Sequence, residues 1–370
     1  MGMSETLFLE PIDALYLRGN RLFGVTGGDD APAQMPPWPS AVAGAIRSRM
    51  LVDGKVSLTD FAAGEASIEN ARLGEALGTP ENPGSFRIAR FSLARRRGES
   101  VEPLLPLPAD WTAFGSVDDL RLAAARPAPL PQGVQGSVAL EQMPRLSLEE
   151  PEKALSGFWL TFEGLARWLR DEDIKDGLVP VSELWRTDAR LGIAMDARLR
   201  TAERSRIYTS DAVALARDVG FLAEVEGADG LVPRSGLLRF GGDGRGVRVH
   251  KARVEWPEPD WDEIRRTGRF RLLLTSPGIF EDAWKPRVEG ARLVAAAVPR
   301  GEVVSGWDLA KGAPKPAQRC APTGSVYWFD GFRGDIEDLK RLARKPLPSA
   351  DPVRIAEGFN TCLIGNWKEV

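Results

Sequence analysis

Three cations stand in the acid-free part of residues 306–330, which read GWDLAKGAPKPAQRCAPTGSVYWFD. Lys311, Lys315 and Arg319 are interspersed there with glycines and prolines, and residues 309–329 contain no carboxylate. Spaced cations on a proline-stiffened backbone suit the successive phosphates of a nucleic-acid strand, because each can neutralise one phosphate charge. The stretch therefore predicts contact with a phosphate backbone.

Two further segments are locally basic in a chain whose net charge is −3. Residues 186–206 hold six arginines against three acids, and residues 231–253 hold five arginines and one lysine against Asp243 alone. The overall charge does not exclude an RNA partner, since only the contacting face has to be basic. Arginine outnumbers lysine in both segments, which suits bidentate contacts to phosphates. A GC-rich genome, which encodes arginine in place of lysine, explains the same preference, so both interpretations stay open.

Adjacent carboxylates at Asp29 and Asp30 follow two glycines and offer a competing chemistry. Such a pair on a tight turn can hold two divalent metals in a cyclase or polymerase palm. The prolines within residues 32–37 exclude the central strand that a palm site needs. We therefore expect a mobile loop here, with no metal and no catalytic residue.

The single histidine, His250, excludes Ser-His-Asp triads, two-histidine zinc sites and histidine-pair ribonucleases by count alone. Alternation in residues 247–250 places it on the polar face of a strand, beside Arg248. A surface or RNA-contacting role is expected. Cys320 and Cys362 are too few for a disulfide framework or a zinc site, which indicates a reducing, cytoplasmic setting.

The length of 370 residues fits two or three domains. With 43% hydrophobic residues, a soluble chain of this length can form buried cores. No apolar run approaches the length of a membrane span, and MGMSETLFLEP at the start lacks the pattern of a signal peptide. No membrane association is expected. The charged and hydrophobic fractions are those of an ordinary globular protein.

The elements that position these residues fall into two halves, divided in the Pro- and acid-rich residues 256–262. Beyond that break the patterns predict a strand, a helix whose sequence pattern is weak, two strands, a helix at 336–344 and a closing strand. This βαββαβ order is that of the ferredoxin-like arrangement. The first half opens with a strand and a helix that Ser40 is expected to cap, followed by an irregular insert at 53–84. A second insert is expected at 109–136, with a Pro-rich loop at 127–136.

Further along the first half, Phe158 is expected to open an amphipathic helix that ends near Arg170. Residues 240–246 are glycine-rich and precede a strand, which favours a hairpin turn over a phosphate-binding loop. Residues 186–208 fit either a solvated surface segment or a basic hairpin that grips RNA.

Several blocks of the chain resemble one known family. They are the turn and strand of residues 306–330, the run PPWPSAVAGAIRSRML, the opening at residues 11–23, the run from 190 to 208, and the glycine-rich EGFNTCLIG at 357–365. In their residues and in their order along the chain, these blocks resemble the third subunit of the type III-B (Cmr) CRISPR effector, which belongs to the RAMP superfamily.

The resemblance implies an α+β chain of two ferredoxin-like (RRM-like) RAMP domains. Residues 1–262 would form the first, with long inserts and a basic hairpin, and residues 263–370 the second, with the glycine-rich motif. It also implies a non-catalytic subunit that holds the 5′ repeat-derived tag of the CRISPR RNA. The implied protein partners are the large palm-domain subunit and the backbone RAMP subunits, and no cofactor is implied.

The residues expected to contact RNA are mostly cations, joined by backbone amides near a helix start, one tyrosine that could stack on a base, and one glycine that permits close approach. They are Ser40, Arg47, Arg190, Arg198, Arg200, Arg206, Tyr208, Arg245, Arg248, Lys251, Lys311, Lys315, Arg319 and Gly358.

Two other functions remain open on the sequence. A RAMP endoribonuclease could process CRISPR transcripts without metal through His250, Tyr208 or Lys251. An assembly scaffold would use the same basic segments to bind protein carboxylates and would not contact RNA.

Overall fold

The computed structural model describes residues 4–19, 30–31, 33–134, 136, 138–148, 150–195, 198–308 and 313–368, with only the backbone at 30–31, 194, 202–208 and 307–308. Its α-helices are α1 (Pro39–Asp53), α2 (Leu58–Ala63), α3 (Ala71–Leu77), α4 (Phe162–Leu169), α5 (Trp261–Thr267), α6 (Ile336–Leu342) and α7 (Pro352–Glu357). None of these helices is long and apolar enough to cross a membrane.

The strands of the first half are β1 (Glu5–Pro11), β2 (Asp30–Ala31), β3 (Arg87–Arg97), β4 (Ser100–Pro106), β5 (Trp111–Gly115), β6 (Leu120–Ala124), β7 (Arg126–Pro129), β8 (Gln142–Arg145), β9 (Phe158–Leu160), β10 (Leu178–Pro180), β11 (Trp185–Met195), β12 (Ala202–Leu215), β13 (Val219–Glu226), β14 (Ser235–Arg239) and β15 (Gly246–Lys251). Those of the second half are β16 (Phe270–Leu274), β17 (Arg292–Ala297), β18 (Glu302–Val304), β19 (Trp307–Asp308), β20 (Ala313–Pro314), β21 (Gln318–Cys320), β22 (Val326–Asp330) and β23 (Cys362–Gly365).

The larger sheet has eight antiparallel strands in the order β10-β9-β4-β3-β13-β1-β15-β14. Alternation in β1 turns Leu7 and Leu9 towards the main core, which also contains Val42 and Ile46 of α1. Phe8, between them, packs in a separate cluster with Leu222. The period of two thus gives this sheet two covered faces, one of them under α1.

The smaller sheet contains the four long strands of the second half in the order β17-β22-β16-β23, and all its neighbours are antiparallel. This is the strand order expected of the βαββαβ arrangement. The second connection carries α6 and α7, whereas the first, residues 275–291, contains bridges and turns but no helix. The α+β class is confirmed, and the pair of ferredoxin-like domains stays a prediction.

One core is shared between the two sheets. Leu165, Trp168 and Leu169 of α4 lie in the same buried cluster as Leu273 and Trp328 of the smaller sheet. The opposite face of that sheet packs under α5 and α6. The division at residue 262 stays a prediction, but α4, which precedes it, buries its apolar face against strands that follow it.

A buried ionic cluster lies within this shared core. Arg271 on β16 is 0% exposed, and its guanidinium lies 2.7 Å from Asp110 and 3.1 Å from Asp171. The Trp168 indole nitrogen donates to Asp110 at 3.0 Å, and Arg271 stacks over that indole ring. Burial alone would raise the pKa of Asp171, but the charges of Arg271 and Arg126 outweigh it and hold that pKa below its ordinary value.

Four local expectations are corrected. Ser40 is not the cap of α1: the helix starts at Pro39 with Trp38 as N-cap and without a side-chain cap, because proline is well suited to the first helical position. Residues 53–84 are not irregular, since Ser57 and Asn70 cap α2 and α3. Phe158 belongs to β9, and Thr161 caps the helix that follows.

The fourth correction concerns the stretch from Trp111 onward. Residues 109–136, taken as an insert with proline-rich loops, form the β5–β6 hairpin and half of the β7–β8 hairpin. Proline is tolerated in β7 and β8 because these strands have only one partner each.

Candidate nucleic-acid interface

The basic segment 186–206 forms most of a long antiparallel hairpin, β11–β12, as one of its two interpretations predicted. Arg190 lies opposite Ser210 in the register, and Gly192 lies opposite Tyr208. Arg198 and Arg200 are exposed in the connection between the strands. Arg206 and Tyr208 lie on β12, but their side chains are outside the described part of the chain.

Two of the predicted cations meet at Tyr16, although they are far apart in sequence. The guanidinium of Arg190 lies 5.9 Å from the centre of the Tyr16 ring, and that of Arg245 lies 5.3 Å from it. Arg245 is ion-paired with Asp13, and Arg190 pairs with Asp188 at 2.9 Å. The two basic segments therefore come together around one aromatic ring.

Positions of the backbone explain this convergence. Tyr16 forms a β-bridge with Gly242 in the β14–β15 turn, and its neighbour Leu15 forms one with Val213 on β12. The residues after β1 thus lie between the hairpin base and the β14–β15 turn. The hairpin turn predicted for residues 240–246 is confirmed, since β14 and β15 pair antiparallel.

The strand β15 presents the remaining cations of this region to solvent. Arg248 and Lys251 are exposed, whereas Val247 and Val249 of the same strand are buried. His250 contacts Glu10 at 2.8 Å and is partly exposed. Burial would raise the pKa of Glu10, but hydrogen bonds from His250 and Arg96 lower it below the ordinary value. His250 therefore lies on the polar strand face, as predicted.

Lys315 belongs to a second polar region around α7. Its ammonium lies 3.2 Å from the buried carboxylate of Glu357, which also pairs with Arg354 at 2.9 Å. Arg354 further donates to Gln318 at 2.8 Å. Glu357 therefore compensates part of the charge of Lys315 within the chain. The Lys315 side chain nevertheless keeps 35% of its surface exposed.

The other predicted residues of this second region differ in accessibility. Arg319 on β21 is exposed, and Ser40 in the first turn of α1 is partly exposed. Arg47 donates to the Leu77 carbonyl at 3.3 Å, and burial lowers its pKa. Lys311 lies outside the described residues. Trp38, just before α1, packs against the cluster of Val304, Cys320 and Phe359, which brings the start of α1 beside the 302–320 segment.

Gly358 ends α7 with a positive φ of 97° and is buried. A Cβ on this residue would lie 2.9 Å from the Ile88 side chain on β3. Glycine is required here because both the left-handed backbone and the close approach disfavour a side chain. The structure thus gives Gly358 a packing role between α7 and the larger sheet.

Replacing Gly358 with alanine is expected to lower the free energy of unfolding by about 2 kcal/mol, from backbone strain and overpacking together. Urea denaturation measures this change. Gly244→Ala is the matched control, since Gly244 also has a positive φ, of 67°, but its Cβ would meet no atom within 4 Å. Equal losses in the two variants would contradict the packing role.

Sequence reasoning missed Tyr16 and the pair of Glu357 with Arg354. Tyr16 stands between the buried Leu15 and Leu17, so the alternating pattern places it on the opposite, less buried face. A tyrosine at such a position was the available signal for a surface role. Glu357 and Arg354 are three residues apart, a spacing that brings side chains together on a helix. Among the described residues, no three His, Cys, Asp or Glu side chains form a metal-ligand group.

The sequence profile of a family described as CRISPR-associated protein (Cas_Cmr3) matches residues 7–367, nearly the whole chain. The chain belongs to the Cmr3 family. The resemblance to the third, RAMP-type subunit of type III-B effectors is thereby confirmed. As a Cmr3-family chain, it is a subunit of a type III-B effector complex. No curated protein matches the chain.

Two solved structures of low sequence identity are similar to the chain. A chain in the cryo-EM structure of type III-B Cmr-beta bound to cognate target RNA and AMPPnP, state 1, is 14% identical, with a TM-score of 0.50 over 96% of this chain and 95% of that chain. A chain in Cmr-beta bound to cognate target RNA is 15% identical, with a TM-score of 0.45 over 87% of this chain and 86% of that chain. The first of these likenesses supports the Cmr3-type fold.

Proposed function

We propose that this Cmr3-family chain is a non-catalytic subunit that binds CRISPR RNA, holds its 5′ repeat-derived tag, and docks the large palm-domain subunit and the backbone RAMP subunits. The observation that carries the proposal is the convergence of two basic segments at Tyr16. Residues 186–206 and 231–253 bear local charges of +3 and +5. Their juxtaposition concentrates positive potential on one side of a chain that is acidic overall.

The cations would divide into anchored and adaptable groups. Arg190 and Arg245 are already held by carboxylates and by the Tyr16 ring, which orients their remaining N–H donors. Arg248 and Lys251 are exposed on a rigid strand. Contacts of this kind to phosphates give affinity and register, whereas reading of sequence requires unstacked bases, for which Tyr208 offers a stacking surface.

The region around α7 would form the other wall of the RNA path. Lys315 lies beside Glu357 of α7, and Arg319 precedes Cys320, whose cluster packs against Trp38 at the start of α1. The first amides of α1 have no side-chain cap. An uncapped helix start attracts anionic groups, because its N–H donors and the helix dipole favour negative charge. The free, buried Cys320 and Cys362 fit the reducing cytoplasm in which we place the protein.

A salt series with labelled repeat RNA and the purified full-length chain tests the proposal. Binding without cleavage, weakening linearly in log–log form as salt rises, is expected because phosphate contacts release counterions. Absence of binding at low salt, both alone and in the reconstituted effector, would contradict the proposal and favour the scaffold function.

In the endoribonuclease alternative, His250 is one of the residues that could take part in RNA cleavage. In the structure His250 is engaged by Glu10, which also pairs with Arg96 at 2.8 Å. This arrangement is a strand-face ion network on the larger sheet. Cleavage of repeat RNA that His250→Ala abolishes would replace the proposed function with the nuclease.

Lys311→Ala combined with Lys315→Ala is expected to weaken RNA retention and to lower the salt slope by about 1.4, since each lost phosphate contact on a single strand contributes about 0.7. The fold is expected to persist, because Glu357 keeps its ion pair with Arg354. Filter binding over a salt series measures the slope, and an unchanged slope would show that neither lysine contacts phosphate.

A further inference from the structure

Arg354 on α7 is a buried arginine that holds two separate points of the second half. It is 4% exposed. Its Nη2 donates to the main-chain carbonyl of Ser305 at 3.0 Å, and its Nε donates to the Gln318 side chain at 2.8 Å. Its Nη1 donates to Glu357 at 2.9 Å. One guanidinium thus ties the end of β18 and the start of β21 to the same helix.

Lys315 is connected to the same points. Its backbone N–H donates to the Gly306 carbonyl at 2.8 Å, and its own carbonyl accepts from the Ser305 hydroxyl at 2.7 Å. Its ammonium lies 3.2 Å from Glu357, the carboxylate that Arg354 also holds. An ammonium has three N–H donors, so the contact with Glu357 leaves donors for an external phosphate.

Arg319 is connected to Arg354 through its neighbour Gln318. The strand β21 pairs with β18, and alternation turns Gln318 and Arg319 to opposite faces. The Gln318 amide donates to Asp351 at 2.9 Å, and its oxygen accepts from Arg354. Arg319 is exposed on the other face. The position of the inward glutamine therefore fixes the position of the outward arginine.

We propose that Arg354 is a positioning residue for RNA, which holds Lys315 and Arg319 where both contact phosphates. Arg354 acts through these two cations, since its own guanidinium is buried among protein acceptors. The helix α7 is anchored in turn, because Gly358 at its end packs closely against β3 of the larger sheet. This inference rests on the proposed function, because it takes the two cations as phosphate ligands.

The planar fork of arginine is what this role requires. Its three acceptors belong to Ser305, Gln318 and Glu357, so the donors have to leave the side chain in three fixed directions. A lysine ammonium carries the same charge on a flexible stem and cannot reach all three at once. A segment that is held before RNA arrives is not ordered at the expense of binding free energy.

Arg354→Lys in the full-length chain tests the proposal without changing the net charge. The affinity for labelled repeat RNA is expected to fall about tenfold, because two cationic side chains then have to be ordered on binding. The salt slope is expected to fall by up to about 1.4, the contribution of two phosphate contacts on a single strand. Filter binding over a salt series gives both quantities. Hydrogen exchange at the Lys315 amide should become faster.

The same substitution in a Lys315→Ala, Arg319→Ala background separates positioning from a general effect. If Arg354 acts through these two cations, adding Arg354→Lys there should change the salt slope by less than about 0.3, whereas unrelated effects add. A general loss of folded structure would lower RNA binding equally in both backgrounds.

Arg90→Lys is the matched control. The Arg90 side chain is 14% exposed, lies 3.8 Å from Glu224 and donates to the Ala343 carbonyl at 2.8 Å. Its partners among the described residues lie outside 305–319, so its salt slope should equal that of the wild type. Thermal midpoints report folding. If Arg354→Lys does not fold, Ser305→Ala decides: it removes only the hydroxyl bond to Lys315 and should lower the slope in the same direction.

Each contrary result has its own meaning. An unchanged affinity and slope in folded Arg354→Lys would overturn the proposal. Equal losses in the two backgrounds would make Arg354 a residue of general stability. Faster exchange at Lys315 with an unchanged slope would show that Arg354 holds the segment but that these cations do not meet phosphate. A failure of the proposed function is distinguishable, because the wild type itself then binds no repeat RNA at low salt.

Discussion

Replacing Arg271 with alanine is expected to lower the free energy of unfolding by about 3–5 kcal/mol, because it leaves the buried carboxylate of Asp110 without its ion-pair partner. Asp110 is 1% exposed and lies 2.7 Å from the Arg271 guanidinium. The same guanidinium also donates to the main-chain carbonyl of Trp168 at the end of α4. The loss is large because the interaction is sealed from water within the shared core.

Urea denaturation followed by tryptophan fluorescence measures this loss, since Trp168 lies under the guanidinium. Arg265→Ala is the control: its side chain is 58% exposed and pairs with a neighbour on the same helix, so a change within about 0.5 kcal/mol is expected. A further variant, Arg271→Met with Asp110→Asn and Asp171→Asn, should recover part of the loss, because no buried carboxylate remains without a cation and Arg126, which loses Asp171, is partly exposed to water. A loss below 1 kcal/mol for Arg271→Ala would contradict this account.

Replacing Arg198, Arg200, Arg204 and Arg206 together with glutamine is expected to reduce the salt slope of RNA binding by about 3. All four lie in the hairpin segment whose charge excess carries the proposed function. At 0.1 M salt this corresponds to a loss of affinity of at least about a hundredfold. Filter binding with labelled repeat RNA between low and moderate salt gives both quantities.

The control has to change the net charge by the same amount elsewhere. Glutamine at four exposed arginines of the α5 and α6 region does so: Arg265, Arg266, Arg341 and Arg344. These residues lie on α5, on α6 and in the turn after α6, on the smaller sheet and not on the hairpin. A local interface predicts a small effect for this control, whereas equal slopes in the two variants would reduce the hairpin's role to general charge.

Local sequence patterns predicted the four strands of the smaller sheet and the β14–β15 turn correctly, whereas most strands between β3 and β13 were missed. The helix predicted at 336–344 is α6, which Asp335 caps and Pro346 follows. The strands of the smaller sheet are also recognisable as short, nearly continuous apolar runs, as expected of strands that are buried on both faces. These features depend on a few adjacent residues, so they can be inferred without knowing what packs against them.

Features that depend on distant contacts could not be predicted in this way. Arg271 looks like an ordinary strand residue until Asp110 and Asp171 are placed beside it. Tyr16 becomes part of the candidate site only because its bridge to Gly242 brings Arg245 near the ring. The short helices of residues 53–84 were missed because the segment is polar and rich in glycine, which is typical of loops. The capping residues Ser57 and Asn70 were the signals that indicated helices.

The shared core also constrains the order in which the protein can mature during synthesis. The apolar face of α4 packs against β16 and β23, the latter being made nearly two hundred residues later. At about 5–20 residues per second, that face waits on the order of 10–40 s for its cover. Residues 1–262 expressed alone should therefore bind a hydrophobic dye that the complete chain excludes. We therefore expect chaperones to bind the nascent chain until β23 has left the ribosome.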